Sequence, residues 1–153
     1  MSPVFKKMNL KPEMKDLLIF NAPESFDSEI ELLEGVMIHR QPAEVEKVPF
    51  GLAFAITIAE LEAAADMLAA RTEGDALVWI AYPKGSSKKY KGEFNRDTSW
   101  AAFGKHGFEG VRQVAIDADW SALRFRRVEF IKSMKRESKR AITAEGKKRT
   151  KSN

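Results

Sequence analysis

Short apolar runs recur along this chain, and amphipathic segments lie between them. Residues 17–20, 50–58 and 76–82 are nearly continuous apolar runs, which are typical of strands buried on both faces of a sheet. Residues 59–71 instead place apolar side chains at helical spacing, with acidic side chains on the opposite face. The predicted elements, in chain order, are strand 17–20, helix 26–33, strand 36–39, strand 50–58, helix 59–71, strand 76–82, a helix through 100–103, strand 111–116 and strand 120–128.

The last two predicted strands are separated only by the turn Asp117-Ala118-Asp119, and the final strand partly alternates apolar and polar side chains. This pattern predicts an antiparallel hairpin with one face more exposed to solvent. Upstream, strands alternate with helices, which predicts parallel β-α-β units with right-handed crossovers. The predicted fold class is therefore α/β: a three-layer, Rossmann-like, mostly parallel sheet with a C-terminal antiparallel hairpin.

The net charge of +4 over 153 residues is unevenly distributed. Residues 132–153 hold nine Lys or Arg against two Glu, a balance of +7, so the rest of the chain carries −3. The predicted organisation is a single α/β domain over 1–131 with an N-terminal arm (1–16), followed by a basic tail that is partly helical or disordered. Basic tails bind polyanions without sequence preference, so nucleic acid contact through the tail is one predicted interaction.

Several classes of chemistry are disfavoured by the composition. The chain has no cysteine, which excludes disulfides, thiolate metal sites and cysteine nucleophiles. His39 and His106 are the only histidines and each stands alone in the sequence, so no metal site is predicted. The chain has neither an apolar run of about 20 residues nor an apolar leader, which predicts a cytoplasmic protein without membrane contact.

The loop that follows strand 76–82 is basic and rich in hydroxyl groups. Ligands of open α/β sheets bind in the crevice beyond the carboxyl ends of the strands, so this loop is the first candidate site. Its lysines, arginine and serines can bind a phosphate or another anion through charge-assisted hydrogen bonds. The alternative is a solvated loop whose lysines serve solubility. The predicted ligand-binding residues are Lys84, Ser86, Ser87, Lys88 and Arg96, together with Asn21 at the end of the first strand.

Two further groups of charged residues have more than one interpretation. Asp117 and Asp119 could act as an acid-base pair, but aspartate is also a preferred turn residue, and we favour the turn. Arg124, Arg126 and Arg127 are predicted to form a basic stripe on the outer face of the last strand. That stripe either reaches an acidic partner or protects an edge strand from aggregation.

Aromatic residues near the ends of elements raise a similar question. Trp100 and Trp120 lie at such positions, and Tyr90 lies among lysines. Exposed rings between basic residues can stack on nucleic acid bases. Because large rings are more often part of a core, we predict that the tryptophans are packed inside.

Three segments carry a resemblance to a known fold: LLIFNAP (17–23), ALVWIAYPK (76–84) and WSALRF (120–125). Together with the element order, they resemble a shortened class I methyltransferase-like Rossmann fold, whose sheet also ends in an antiparallel pair. They are also similar to the motifs of a bacterial family of short proteins of unknown function, over about residues 8–130. The resemblance implies the fold and supplies no activity.

Two positions depart from the methyltransferase pattern. A methyltransferase of this class has a glycine-rich turn after its first strand, where the backbone approaches the cofactor closely. Residues 21–25 contain no glycine here, and Pro23 removes a backbone donor. The acidic residue expected after the second strand is replaced by His39-Arg40. No S-adenosylmethionine or other cofactor is therefore predicted.

These observations favour a binding protein over an enzyme. The predicted function is a non-catalytic or degenerate Rossmann-like module that binds a small anion, a nucleotide or a partner protein at the crevice. One alternative is a divergent methyltransferase-like enzyme, and another is nucleic acid contact through the tail. The sequence leaves open the ligand and whether the chain forms a homo-oligomer.

Overall fold

In a computed structural model, residues 2–94 and 100–131 are described, so Arg96 and the tail 132–153 lie outside the described residues. Six strands form one sheet, and helices and turns lie before and between them in the chain. The strands are β1 (Asp16–Phe20), β2 (Met37–His39), β3 (Phe50–Phe54), β4 (Leu77–Pro83), β5 (Phe108–Ala115) and β6 (Trp120–Arg127). The helices are α1 (Pro3–Lys7), α2 (Asp27–Glu31), α3 (Ile58–Arg71) and α4 (Ala101–Gly104), with 3₁₀ turns at Glu24–Phe26, Pro42–Glu44 and Val128–Phe130.

The strand order is β2-β1-β3-β4-β6-β5. Strands β2, β1, β3 and β4 pair in parallel, and β6 pairs antiparallel with both β4 and β5. The predicted fold class, a mostly parallel α/β sheet with a C-terminal antiparallel hairpin, is confirmed. The described part of the chain contains no helix long and apolar enough to cross a membrane.

The position of the last strand differs from the prediction. Strand β6 lies inside the sheet, and β5 is the edge strand. The physical reason is that β6 is apolar on both faces: Ala122 belongs to the core of one face and Phe125 to the core of the other. An interior strand is covered on both faces and paired along both edges, and β4 and β5 pair with the two edges of β6.

The predicted stripe of three arginines on β6 is also wrong. Successive side chains of a strand point to opposite faces, so Arg126 and Arg127 cannot share one. The Arg127 guanidinium lies over the Phe108 ring, 4.8 Å from its centroid, and donates to the carbonyls of Thr72 (2.8 Å) and Gly74 (3.0 Å). Arg127 therefore holds the chain that follows α3 and does not belong to a common basic surface with Arg126.

The sheet is covered on both faces, which gives three layers. Helices α1 and α2 pack on the first face and α3 and α4 on the second. The N-terminal arm belongs to the core, because Phe5 and Met8 are fully buried and the Trp79 indole nitrogen donates to the Met8 carbonyl at 3.2 Å. Helix α1 can begin at Pro3 because a proline suits the first turn and the Ser2 hydroxyl accepts from the Phe5 amide.

Helix α3 is the longest helix described, and it lies closely against the sheet. It begins with a capping box in which the Thr57 hydroxyl accepts from the Glu60 amide and the Glu60 carboxylate accepts from the Thr57 amide. Its apolar side, which includes Leu68, is buried on the second face. At Gly51 in β3, an added Cβ would lie 2.8 Å from Leu68 Cδ2, so a larger residue there would require the buried Leu68 side chain or the helix to shift.

Candidate functional site

The turn after β1 has a conformation that usually requires glycine. Asn21 has φ of 61°, in the left-handed region, where asparagine is tolerated better than most residues. Its side-chain amide donates to the Phe54 carbonyl at 3.1 Å and to Glu60 Oε2 at 3.3 Å. Asn21 therefore ties the carboxyl end of β1 to the end of β3 and to the start of α3.

Aromatic rings fill the space beside this turn. Phe26, Phe54 and Trp120 are each at most 3% exposed. The ring centroids of Phe26 and Phe54 are 5.0 Å apart, and those of Phe54 and Trp120 are 5.1 Å apart, both in edge-to-face geometry. A flat ligand placed between β1 and β3 on this face would have to displace these rings.

Carboxylates of the chain itself bind the two amides just before α3 and the first amide of the helix. Glu60 Oε1 accepts from the amides of Ile56 (2.9 Å) and Thr57 (3.0 Å), and Glu93 Oε1 accepts from the amide of Ile58 (2.8 Å). The Thr57 and Ile56 amides, followed by the Asn21 side chain, lower the pKa of Glu60. Because carboxylates of the chain already occupy these three donors, they are not available to an external anion.

The basic loop after β4 is held in place by hydrogen bonds to the β5–β6 turn. The Lys84 amide donates to the Asp119 carbonyl at 2.8 Å, and the Ser87 hydroxyl donates to Asp119 Oδ1 at 2.8 Å. The same hydroxyl accepts from the amides of Lys89 (3.3 Å) and Tyr90 (3.1 Å). Ser87 thus orders the loop, and its hydroxyl is occupied in this conformation.

The structure brings together four of the predicted ligand-binding residues on this loop, and it places a fifth farther away. Lys84 is half-buried and Ser86 and Lys88 are exposed; within residues 2–94 and 100–131, their side chains have no hydrogen-bond or ion-pair partner. Asn21 lies at the same end of the sheet, but β1 and β4 are separated by β3, so roughly 10 Å lies between the two strands. Arg96 lies outside the described residues.

Trp120 connects the loop to the aromatic cluster. It pairs with Pro83 in the β4–β6 register, and its ring lies 4.9 Å from the Tyr90 ring. The burial predicted for this tryptophan is confirmed. Its indole nitrogen is buried and, within the described residues, has no hydrogen-bond partner. An unpaired buried donor of this kind costs about 1–3 kcal/mol.

Sequence reasoning missed the roles of Tyr90 and Asp119 in this site. Asp119 Oδ1 accepts a hydrogen bond from the Ser87 hydroxyl, whereas Asp117 Oδ1 accepts hydrogen bonds from the amides of Asp119 and Trp120. The predicted turn role is therefore confirmed for Asp117. Ser87 and Asp119 are thirty-two residues apart, so the local sequence does not predict their contact. Only the pairing of β4 with β6 brings them together.

The two histidines each contact one aspartate from a distant part of the sequence. His39 Nε2 lies 3.0 Å from Asp16 Oδ1, and His106 Nε2 lies 2.7 Å from Asp66 Oδ1. Hydrogen bonds from His106 and then from Lys105 lower the pKa of Asp66. In the described ranges, no three His, Asp or Glu side chains are grouped closely enough to hold a metal ion.

A cavity of about 210 Å³ lies at the opposite end of the sheet. Its lining comes from the segments that precede β1 and β2, including Leu10, Met14, Leu33 and Val36. These segments lead directly into the amino ends of β1 and β2. The cavity is therefore separate from the basic loop, which follows the carboxyl end of β4.

The antiparallel β6, placed between β4 and β5 in an otherwise parallel sheet, defines a class I S-adenosylmethionine-dependent methyltransferase-like fold. Two solved structures share it. The fibrillarin pre-rRNA processing protein of Methanococcus jannaschii is 14% identical, with a TM-score of 0.50 over 76% of this chain and 67% of that one. A proposed S-adenosylmethionine-dependent methyltransferase of Listeria monocytogenes is 7% identical, with a TM-score of 0.50 over 81% of this chain and 97% of that one.

Comparison by sequence gives no closer assignment. No protein-family model matches the chain, and no curated protein sequence matches it. At these identities, the two solved structures establish the fold alone.

Proposed function

We propose that this protein is a binding module of the methyltransferase-like fold, which takes a small anionic ligand at the basic loop of residues 84–90. The main support is the combination of an ordered loop with unpaired donors. Lys84 and Lys88 have no partner among the described residues, and the unpaired Trp120 indole lies beside the same loop. The resemblance to short bacterial proteins of unknown function is compatible with this role.

Preorganisation makes the loop suitable for binding. Ser87 and Asp119 fix its backbone before a ligand arrives, so less conformational entropy is lost on binding. Two ammonium groups attract an anion, and charge-assisted hydrogen bonds are stronger than neutral ones. A rearrangement of Tyr90 that brought a ligand oxygen to the Trp120 indole would also satisfy a buried donor. The favoured ligand therefore carries a phosphate or carboxylate beside a flat or apolar group.

The filled space beside Asn21 favours binding without methyl transfer. Phe26 and Phe54 occupy the first face between β1 and β3, and Glu60 occupies the amides of Ile56 and Thr57 just before α3. A cofactor that approached the β1 turn would have to displace rings from the core. We therefore place the ligand at the β4 end of the crevice.

A divergent methyltransferase is the second candidate. Two observations favour it: the fold is shared with the Listeria monocytogenes protein described as a methyltransferase, and Asn21 has the left-handed conformation that glycine would give the turn. In this case S-adenosylmethionine would bind near Asn21 and would require a shift of Phe26.

Thermal unfolding of the full chain with inorganic phosphate, adenosine triphosphate and S-adenosylmethionine separates the two candidates. A ligand at a hundred times its Kd should stabilise the fold by about 2.7 kcal/mol. We expect adenosine triphosphate to raise the unfolding temperature of the wild type and to lose this effect in Lys84→Ala/Lys88→Ala. The matched control Lys11→Ala/Lys15→Ala removes two exposed lysines at the other end of the sheet and should respond like the wild type.

Three outcomes of this experiment would contradict the proposed binding site on the loop. A response to S-adenosylmethionine that survives both lysine double variants would support the methyltransferase candidate instead. The absence of any response in the wild type, or an equal response in Lys84→Ala/Lys88→Ala, would reject the loop as the binding site.

A further inference from the structure

The cavity beside the segments that precede β1 and β2 has an apolar lining that solvent can reach. Leu33 and Val36 pack against the core of the first face, while Leu32, which also lines the cavity, is 51% exposed. An apolar cavity of about 150 Å³ can hold a benzene molecule. The 210 Å³ of this cavity therefore suffices for one aliphatic side chain, which would also cover Leu32.

Acidic side chains are concentrated in the segments that form this cavity. Residues 10–36, which include its whole lining, contain seven Asp or Glu against Lys11 and Lys15, a balance of −5. Residues 1–131 together carry only −3, so the other parts of that stretch are slightly basic. Residues 24–34 alone contain five acids and no Lys or Arg. The excess negative charge of the domain therefore lies in the segments beside the cavity.

Two of these acids are available to a cation from elsewhere. Glu31 and Glu34 are exposed, and Glu34 lines the cavity. Neither has a hydrogen-bond or ion-pair partner within residues 2–94 and 100–131. Asp27, by contrast, lies 3.3 Å from the Arg40 guanidinium. An occupant that presents one apolar side chain together with several cations would therefore match both the cavity and its rim.

The basic tail follows a strand that ends at the same end of the sheet as the cavity. Because β6 runs antiparallel to β4, its last residue, Arg127, lies at the amino end of the parallel strands. Strands β6 and β1 are three positions apart in the sheet, which is roughly 14 Å. Ile142 is eleven residues beyond Ile131, and an extended chain of that length spans about 36 Å. Ile142 can therefore reach the cavity, whereas Met134, three residues beyond Ile131, spans at most roughly 11 Å.

The sequence around Ile142 has the composition that this surface requires. Ile142 and Met134 are the only large apolar residues of the sequence 132–153. Lys139-Arg140 precedes Ile142 closely, and Lys147-Lys148-Arg149 follows it. One aliphatic side chain is thus flanked by cations on both sides, which complements an apolar cavity flanked by carboxylates.

We propose that residues 139–149 of this chain bind across the cavity, with Ile142 inside it and the flanking cations beside Glu31 and Glu34. Burial of the aliphatic side chain and attraction between opposite charges both favour this contact. The connection within one chain gives the segment a high effective concentration at the cavity. The cavity and the basic loop lie at opposite ends of the sheet, so this inference does not rest on the proposed function.

The competing explanation is that the cavity is a packing gap and that the acids only keep the surface soluble. The chain has no cysteine, so Ser138→Cys allows a single nitroxide label to be placed in the tail of the full chain. If the tail binds at the cavity, the label should broaden the amide resonances of residues 31–36 more than those of residues 84–90 at the other end of the sheet.

Two variants of the labelled protein separate the apolar contribution from the charges. Ile142→Ser removes the side chain that fills the cavity, and Glu31→Gln/Glu34→Gln removes two exposed charges without touching the core. Each should restore the resonances of residues 31–36. The matched control Glu46→Gln/Glu62→Gln removes two exposed acids elsewhere and should keep the broadening.

Three results would overturn the inference. The first is broadening at residues 31–36 that does not exceed the broadening at residues 84–90. The second is broadening that persists in Ile142→Ser, because the cavity would then not hold this side chain. The third is broadening that appears equally when isotope-labelled protein without the nitroxide is mixed with nitroxide-labelled protein, because the tail would then bind a second copy.

Discussion

Individual polar side chains at the carboxyl end of the sheet satisfy backbone groups that strands and helices leave open. Glu60 is the clearest example, because one carboxylate accepts from the two amides just before α3 and from the Asn21 side chain. Its bonds join three elements: β1 through Asn21, the turn after β3, and α3. We infer that Glu60 stabilises this end of the molecule in its ionised form.

Replacing Glu60 with Gln should lower the free energy of unfolding by about 1–2 kcal/mol at neutral pH, because the capping box loses its charged acceptor. The pKa of Glu60 is lower in the folded protein than its ordinary 4.5, so this stabilisation is present above pH 4.5 and is lost as pH falls through the folded value. Urea unfolding at neutral and acidic pH should therefore show the variant approaching the wild type in acid. Glu62→Gln, an exposed control on the same helix, should change little; an equal loss in both variants would contradict the account.

At the residue scale, the sequence predicted the burial of the tryptophans and the role of Asp117 in its turn. These follow from side-chain size and from local hydrogen bonding. The contacts of His39 with Asp16 and of Ser87 with Asp119 could not be predicted, since each joins residues brought together only by strand pairing.

At the scale of elements, the position of α3 depends on one glycine of the sheet. Gly51 lies in β3 under Leu68, and both are buried. The absence of a side chain at Gly51 allows the helix to lie close to the strand. The apolar side of α3 and the second face of the sheet then share one core.

Gly51→Ala should destabilise the fold by about 1–3 kcal/mol, because the added methyl group would overpack the contact between β3 and α3. The measurement is the free energy of unfolding in denaturant. Gly85→Ala provides a matched control, since nothing lies within 4 Å of an added Cβ on that loop, and it should stay within about 0.5 kcal/mol of the wild type. A neutral Gly51→Ala would show that α3 can move away without cost.

Apolar runs and helical spacing were sufficient to predict the six strands, α3 and their order. They could not predict the bulge between Gly110 and Arg112, because a bulge is a property of two paired strands. They also placed β6 at the edge of the sheet. Counting the apolar side chains on both of its faces, with Ala122 on one and Phe125 on the other, would have indicated an interior strand.

At the scale of the whole molecule, an acidic domain with a methyltransferase-like sheet is followed by a strongly basic tail. Residues 1–131 carry −3 and residues 132–153 carry +7. Residues 1–131 contain the folded domain, and the tail lies outside the described residues. Nucleic acid contact through the tail remains a proposal, with electrostatics as its physical basis.

Removing residues 132–153 should abolish binding to duplex DNA if the tail makes this contact. For the full chain, the logarithm of affinity should fall linearly with the logarithm of salt concentration, with a slope near −0.9 for each phosphate neutralised. Fluorescence anisotropy at several salt concentrations measures both quantities. Salt-independent binding, or binding retained by residues 1–131, would exclude the tail as the contact surface.

The sequence predicted where a site could lie on this fold, and it did not predict what the site would contain. Lys84, Ser86 and Lys88 follow directly from the rule that loops at strand carboxyl ends bind ligands. The filled space between β1 and β3 could not be predicted, since it depends on how Phe26 and Phe54 meet across the sheet. That packing is what favours a binding module over a methyltransferase.

The most direct test of this central claim is nuclear magnetic resonance of the tryptophan indoles during titration with adenosine triphosphate and, separately, S-adenosylmethionine. The Trp79 indole is bonded to the Met8 carbonyl and serves as an internal reference, while the Trp120 indole has no partner among the described residues. We predict that adenosine triphosphate shifts the Trp120 signal and the amides of residues 84–90 and leaves the Trp79 signal in place. Shifts produced by S-adenosylmethionine at Asn21 and Phe26, with the 84–90 loop unchanged, would contradict the account and assign the chain to the methyltransferases.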